Sequence, residues 1–350
     1  MLVKWQDATR LLAIRLDSMG DVLMTTPAIR ALREGAAGRH ITLLTSPAGA
    51  AIAQLVPEID AVLVYEAPWM KAGDDRGADY DRAFVAQLAA QRFDAAVIFT
   101  VYSQNPLPAA MLCRLAGIPL VLAHCRERAY RLLSDAVPET EPEAGIRHEV
   151  RRQLDLVATI GCVPSSELMS LQPTQADHAA AAALIARHAL TGRWAVVHPG
   201  ASAASRRWPP DNYADALALL GVQGWRFVLT GDAGETALCA EIIAASATAA
   251  INLAGALSLG ETAALIGAAP LVVANNTGPA HIAAAMGTAI VDLYALTNPQ
   301  HTPWAVAQRV LSHDVECRWC YASICRTGHH MCLRGVTAQQ VVEAACELVP

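Results

Sequence analysis

The chain has 350 residues, 54% of them hydrophobic and 17% charged, with a formal net charge of −6. That length exceeds one ordinary core, so two domains are expected, and the apolar content excludes a disordered chain. The negative balance excludes nucleic acid as the main partner, and no apolar run reaches the roughly 20 residues that span a bilayer.

From residue 10 onward, short apolar runs at 11–16, 41–45, 61–65, 95–99 and 120–123 alternate with helix-like stretches at 22–33, 79–91 and 106–116. Strands buried on both faces and separated by helices are the signature of a parallel, doubly wound sheet. A Pro- and Glu-rich stretch at 139–145 reads as an exposed loop, and 147–160 as a helix. The alternation restarts with apolar runs at 194–198, 226–230, 271–274 and 289–293. Helices are expected between them at 211–222, 235–245, 259–267 and 279–286, and a last one at 337–349. Residues 172–193, with Pro173, an Ala-rich helix and Gly192, read as the linker. The predicted organisation is two Rossmann-like domains, 1–175 and 176–350, facing a cleft where ligands meet the carboxyl ends of the strands. Dehydrogenases and two-lobed binding proteins share that plan, so fold alone does not decide function.

Three strand-to-helix turns carry chemistry-bearing residues. The first strand runs into Asp17-Ser18-Met19-Gly20-Asp21. Asp21 stands at a helix N-terminus, where a capping role is the better reading on position alone. No G-x-G-x-x-G fingerprint follows this strand, which counts against dinucleotide binding there. In the second half, His198-Pro199-Gly200-Ala201-Ser202 leads to Arg206-Arg207-Trp208-Pro209. Small residues let backbone N–H groups approach an anion, and two arginines can neutralise phosphate. Third, Asn275-Asn276-Thr277-Gly278-Pro279-Ala280-His281 follows an apolar strand and opens a helix, whose free N–H groups and dipole suit a pyrophosphate. Each turn alone also reads as a plain capped helix or a solvated loop.

Taken in order, the three segments resemble glycosyltransferase family 9, the ADP-heptose heptosyltransferases of lipopolysaccharide core assembly, over nearly the whole chain. The resemblance implies the α/β GT-B fold, with the acceptor in the N-terminal domain and the nucleotide sugar in the C-terminal one. It makes Asp21 the catalytic base and places Ser202, Arg206, Arg207, Glu235, Asn276, Thr277, Gly278 and His281 around the donor. The family commonly has Asp-Thr-Gly where this chain has Asn276-Thr277-Gly278, which removes a charge from the donor turn. Asp17, Arg126 and Arg128 are the expected acceptor contacts, with Arg114 and Arg131 in or near the same loops and Lys71 and Arg76 in an earlier one.

The implied reaction is inverting transfer of heptose from ADP-heptose to an anionic glycolipid of lipopolysaccharide-core type, without a catalytic metal. Residues 1–10, with Lys4, Asp7 and Arg10, lack the apolar centre of a secretory leader, so a cytoplasmic location is expected, with peripheral contact at the inner membrane. The alternatives are a family 9 transferase using another nucleotide sugar or a protein acceptor, and a non-catalytic sugar-nucleotide-binding protein. In the tail, Cys317, Cys320, Cys325 and Cys332 fall within 16 residues, with His329 and His330 between the last two. That set reads either as a structural zinc or iron site or as reduced thiols packed under the last helix. The other cysteines, Cys113, Cys125, Cys162, Cys239 and Cys346, read as small buried hydrophobes.

Overall fold

The structure is a computed structural model that describes residues 4–71 and 75–350. It divides into two compact units, Met1–Gln172 and Pro173–Pro350.

The first unit contains β1 (Arg10–Arg15), α1 (Met19–Glu34), β2 (His40–Thr45), α2 (Pro47–Ala53), β3 (Ala61–Val64), α3 (Ala78–Gln91), β4 (Ala95–Ile98), α4 (Leu107–Leu115), β5 (Leu120–Cys125), β6 (Asp135–Pro138) and α5 (Glu149–Ala158). Its strands pair in the order β3-β2-β1-β4-β5-β6, every pair parallel. β1 is buried over its last five residues because helices cover both faces of the sheet. Leu12, Ile14, Leu44, Phe84, Phe93 and Val121 form the core beneath α3 and α4.

The second unit begins with α6 (Gln175–Arg187) and β7 (Trp194–His198). It continues through α7 (Pro210–Val222), β8 (Arg226–Leu229), α8 (Thr236–Ser246), β9 (Ala250–Asn252), α9 (Leu259–Ala268), β10 (Leu271–Asn275), α10 (Gly278–Met286), β11 (Ile290–Leu293), β12 (Gln308–Leu311), α11 (Met331–Arg334) and α12 (Ala338–Leu348). The sheet order is β12-β11-β10-β7-β8-β9, again all parallel. Counted from its own first strand, this is the order of the first sheet. Trp208, Tyr213, Phe227, Val273 and Val341 centre its core.

In such sheets the chain reverses its winding beside the first strand, and the crevice for ligands opens there, past the strand ends. The two reversal points lie between β1 and β4 and between β7 and β10. The turns carrying Asp21, Gly200 and Thr277 all leave strands that flank these points.

The strands absent from the sequence reading are β6, β9 and β12, and each lies at or near a sheet edge. Their sequences, such as Asp135-Ala136-Val137-Pro138 and Gln308-Arg309-Val310-Leu311, are half-solvated and carry no apolar run. α2 was missed too, although Ser46 caps it through the Gly49 N–H and Pro47 opens it. Within residues 172–193 the Ala-rich helix is α6, which packs on α9 in the second unit, and the boundary between the units falls at Gln172–Pro173.

Candidate functional site

In the first unit, β1 ends on Arg15, a charged residue that follows the apolar run Leu11-Leu12-Ala13-Ile14. Its side chain is fully buried, so its charge must be answered nearby. Three carboxylates answer it: Glu149 at 2.7 Å, Asp17 at 2.9 Å and Asp21 at 3.0 Å. Glu149, at the start of α5, is itself buried and accepts a 2.6 Å hydrogen bond from Gln153 Nε2. Asp21 sits in the first turn of α1 and accepts from Ser18 N at 3.1 Å and Ser18 Oγ at 2.6 Å. It is therefore a capping residue as well as a candidate base. Asp17 accepts from Gln104 Nε2 at 2.5 Å, and its main-chain oxygen accepts from Ser46 Oγ at 2.5 Å.

Asp17 and Asp21 line one wall of a cavity of about 790 Å³; Tyr65, Trp69 and Phe99 supply apolar wall, and Glu66 and Lys71 charge. Burial is the first cause that pushes the Asp17 carboxyl up, to about 6, with Arg15 opposing and Asp21 adding to the rise. Arg126 and Arg128 stand outside this cavity. Arg126 donates to Glu141 O and lines a neighbouring polar hollow of about 80 Å³, which shares Ser103, Gln104 and Asn105 with the larger one. Arg128 is exposed, 5.0 Å over the ring of Tyr130.

In the second unit, Asn275 ends β10 wholly buried and fastens the β7–α7 loop. Its Nδ2 donates to Pro199 O at 2.7 Å, and its Oδ1 accepts from Trp208 N at 3.0 Å. The sequence reading gave Asn275 no role of its own. Asn276, next along, donates to His301 O at 2.8 Å and to Asp292 Oδ2 at 3.1 Å. Burial pushes Asp292 up to about 8, against the pull of Asn276 and Arg206. Arg206, on the short turn Ala204–Arg206, thus lies within charge reach of Asp292 on β11. Arg207 is exposed and donates through Nε to Ala201 O at 2.7 Å, while Ser202 is exposed on the same loop.

Thr277 is the N-cap of α10, and His281, on its first turn, is buried. Glu235 receives the Asp232 N–H at 3.0 Å, and its carboxylate lies 3.8 Å from His198 Nε2. That carboxylate packs directly over Gly200, where any β-carbon would collide with it. The sequence-predicted donor residues are therefore gathered at the second sheet's reversal point, with Ser202 and Arg207 exposed on the loop beside it.

The cysteine-rich segment reaches the same place. Ser205 N donates to Ser323 O at 3.1 Å and Ser205 Oγ to Ala322 O at 2.7 Å. Trp319 N and Tyr321 N donate to Leu296 O and Thr297 O at 2.7 and 2.8 Å. Burial foremost pushes the Cys332 thiol up, and Cys325, Cys317 and Cys320 add to it, so those three thiols lie within charge reach of Cys332. Among the described residues no three His, Cys, Asp or Glu side chains are gathered to hold an ion. Nor is any helix among them long and apolar enough to cross a membrane.

A family model described as "Glycosyltransferase family 9 (heptosyltransferase)" matches residues 82–330. Lipopolysaccharide heptosyltransferase 2 of Salmonella typhimurium is 33% identical over 159 residues, 43% of this chain and 42% of that protein. The match thus spans less than half of that relative. Lipopolysaccharide heptosyltransferase 1 of Escherichia coli K12 is 26% identical over 303 residues, 83% of this chain and 89% of that one. Among solved structures, the E. coli ADP-heptose lipopolysaccharide heptosyltransferase II aligns with TM-score 0.73 at 24% identity, covering 97% of this chain and 98% of the other. The fold is accordingly α/β of GT-B type, and the chain belongs to glycosyltransferase family 9.

Proposed function

We propose that this chain is an inverting heptosyltransferase that moves heptose from ADP-heptose onto an acceptor of lipopolysaccharide-core type, with Asp21 as general base. The observation that carries this reading is the position of Asp21, at the reversal point of the first sheet and on the wall of a cavity large enough for a sugar. The acceptor oxygen attacks the anomeric carbon as Asp21 takes its proton, and ADP departs with the electron pair of the broken bond. Thr277 and Gly278 at the start of α10, His281 and Arg206 receive the charge that develops on the diphosphate. Ser202 and Arg207 close over it from the loop, Glu235 holds the donor's polar groups, and Asn276, tied to Asp292 and His301, fixes the donor turn.

The described cavity wall sets Asp17, Asp21 and Glu66 against Lys71. The hydroxyl-bearing ring of the acceptor therefore enters the cavity, and its anionic groups stay at the edge toward Arg126 and Arg128. The enzyme works at the cytoplasmic face of the inner membrane, where a glycolipid acceptor is presented. Cys317, Cys320, Cys325 and Cys332 are the thiols that would hold a structural zinc or iron; among the described residues the structure does not gather three of them around one point, and reduced thiols packed under the last helix are the alternative.

Replacement Asp21→Asn keeps a capping oxygen and removes the base. Turnover, read as ADP release from ADP-heptose with heptose-free lipopolysaccharide, should fall roughly 10² to 10⁴-fold with ADP affinity nearly unchanged. Near-normal turnover would leave Asp21 a helix cap and overturn the reading.

A further inference from the structure

The surroundings of Arg15 hold more negative charge than one guanidinium can answer. Glu149, Asp17 and Asp21 approach it through three different nitrogens, Nη1, Nε and Nη2. With all three carboxylates ionised, the buried cluster carries a net charge of −2, which a site sheltered from water resists. The three are not equally protected. Glu149 is braced by Gln153, and Gln153 in turn by Thr100 O at 3.0 Å. Asp21 receives a backbone N–H and a hydroxyl from Ser18 and lies at the positive end of α1.

Among the described residues no backbone N–H donates to the Asp17 carboxylate. It has the Gln104 amide, and its contact with Arg15 Nε is one of charge, since that N–H is not aimed for a hydrogen bond. Asp17 and Asp21 both face the cavity that would admit the acceptor; Glu149 does not line it.

We propose that Asp17 tunes the base: it competes with Asp21 for the guanidinium of Arg15, and the two carboxyl groups titrate as one coupled pair. This rests on the reading of Asp21 as base. Alone with Arg15 and Ser18, Asp21 would be a fully satisfied carboxylate, stabilised in its charged form and a poor proton acceptor. The negative charge of Asp17 on the same counter-ion raises the affinity of Asp21 for a proton. When acceptor binding displaces water from the cavity, that mutual repulsion grows and the pair draws the proton from the acceptor hydroxyl more strongly. The groups that set this balance are Arg15 on β1, Asp21 on α1, Glu149 on α5 and Gln104 ahead of α4. Glu66 and Lys71, beyond β3, line the same cavity.

The test compares the full chain with Asp17→Asn, Asp17→Glu and Asp21→Asn, each checked for a normal melting curve. In Asp17→Asn the acid limb of the kcat/KM profile, read with ADP-heptose and heptose-free lipopolysaccharide, should move down by about one pH unit. Its plateau should drop about tenfold as the base weakens. Asp17→Glu should restore part of both. Carbon-13 titration of the aspartate carboxyls gives a reading without substrate: in Asp21→Asn, the Asp17 midpoint should fall, because its like-charged neighbour is gone. An acid limb unmoved in folded Asp17→Asn, or an Asp17 titration identical in wild type and Asp21→Asn, overturns the pair. Retained turnover in Asp21→Asn instead removes the base reading, and the carboxyl titration then still decides whether the two groups are coupled.

Discussion

Asp292 is the plainest case of one residue whose chemistry the sequence does not announce. It stands in the middle of β11, in a run that reads as apolar, fully buried beside Asn276. Its carboxyl, pushed up to about 8 by burial, stays protonated in the folded chain where an unfolded aspartate has ionised. The folded state therefore holds an extra proton between about pH 4 and pH 8, and the stability this provides is full below pH 4 and lost as pH rises toward 8. Asp292→Asn keeps the shape and an oxygen for Asn276 without the cost of ionisation. Its melting temperature should exceed that of wild type increasingly from pH 5 to pH 8 and match it at pH 4, which scanning calorimetry reads directly. Arg15 was no more legible, since residues 11–16 read from sequence as one apolar run. A charged residue closing a strand buried on both faces demands a partner, although nothing in the sequence names Glu149, 134 residues away.

At the scale of elements, the turns out of β1, β7 and β10 were readable because apolar strands run straight into glycine, proline and capping residues. What joins them to other elements was not. The 317–332 segment, taken from sequence as a separate thiol cluster, ties its backbone to Ser205, Leu296 and Thr297. Trp319 and Tyr321 adopt left-handed backbones, φ 60° and 51°, that non-glycine residues hold only when their surroundings enforce it. Reshaping this segment therefore displaces the turn that carries Arg206. Purified protein should contain about one zinc or iron per chain. The pair Cys317→Ser and Cys320→Ser should release it, lower the melting temperature and weaken ADP binding several-fold by calorimetry. Metal-free wild-type protein with freely titratable thiols would remove the ion, and unchanged ADP affinity in the variant would remove the brace.

For the molecule as a whole, alternation of apolar runs with helices was enough to read two doubly wound sheets, since each central strand is buried on both faces. Of the outermost strands, β6, β9 and β12 escaped because half of each faces water, whereas the apolar β3 was read. Those same outer strands decide how the chain behaves once it loosens. β6 closes one margin with Asp135 and Pro138, and Trp5 Nε1 donates to Asp135 at 2.9 Å. β12 carries Arg309 in a 2.7 Å ion pair with Glu347, and β9 is only three residues long. β3 carries no charge or proline of its own: Ala61-Val62-Leu63-Val64 is apolar throughout, and Val64 is 45% exposed among the described residues. A bare apolar margin is a template for strand addition by another chain, and charge or proline there is what blunts it. Heat-driven aggregation should therefore begin along β3. Val64→Lys should raise the onset temperature of light scattering while leaving the unfolding temperature nearly unchanged, whereas Arg309→Val should lower that onset by opening a second sticky margin.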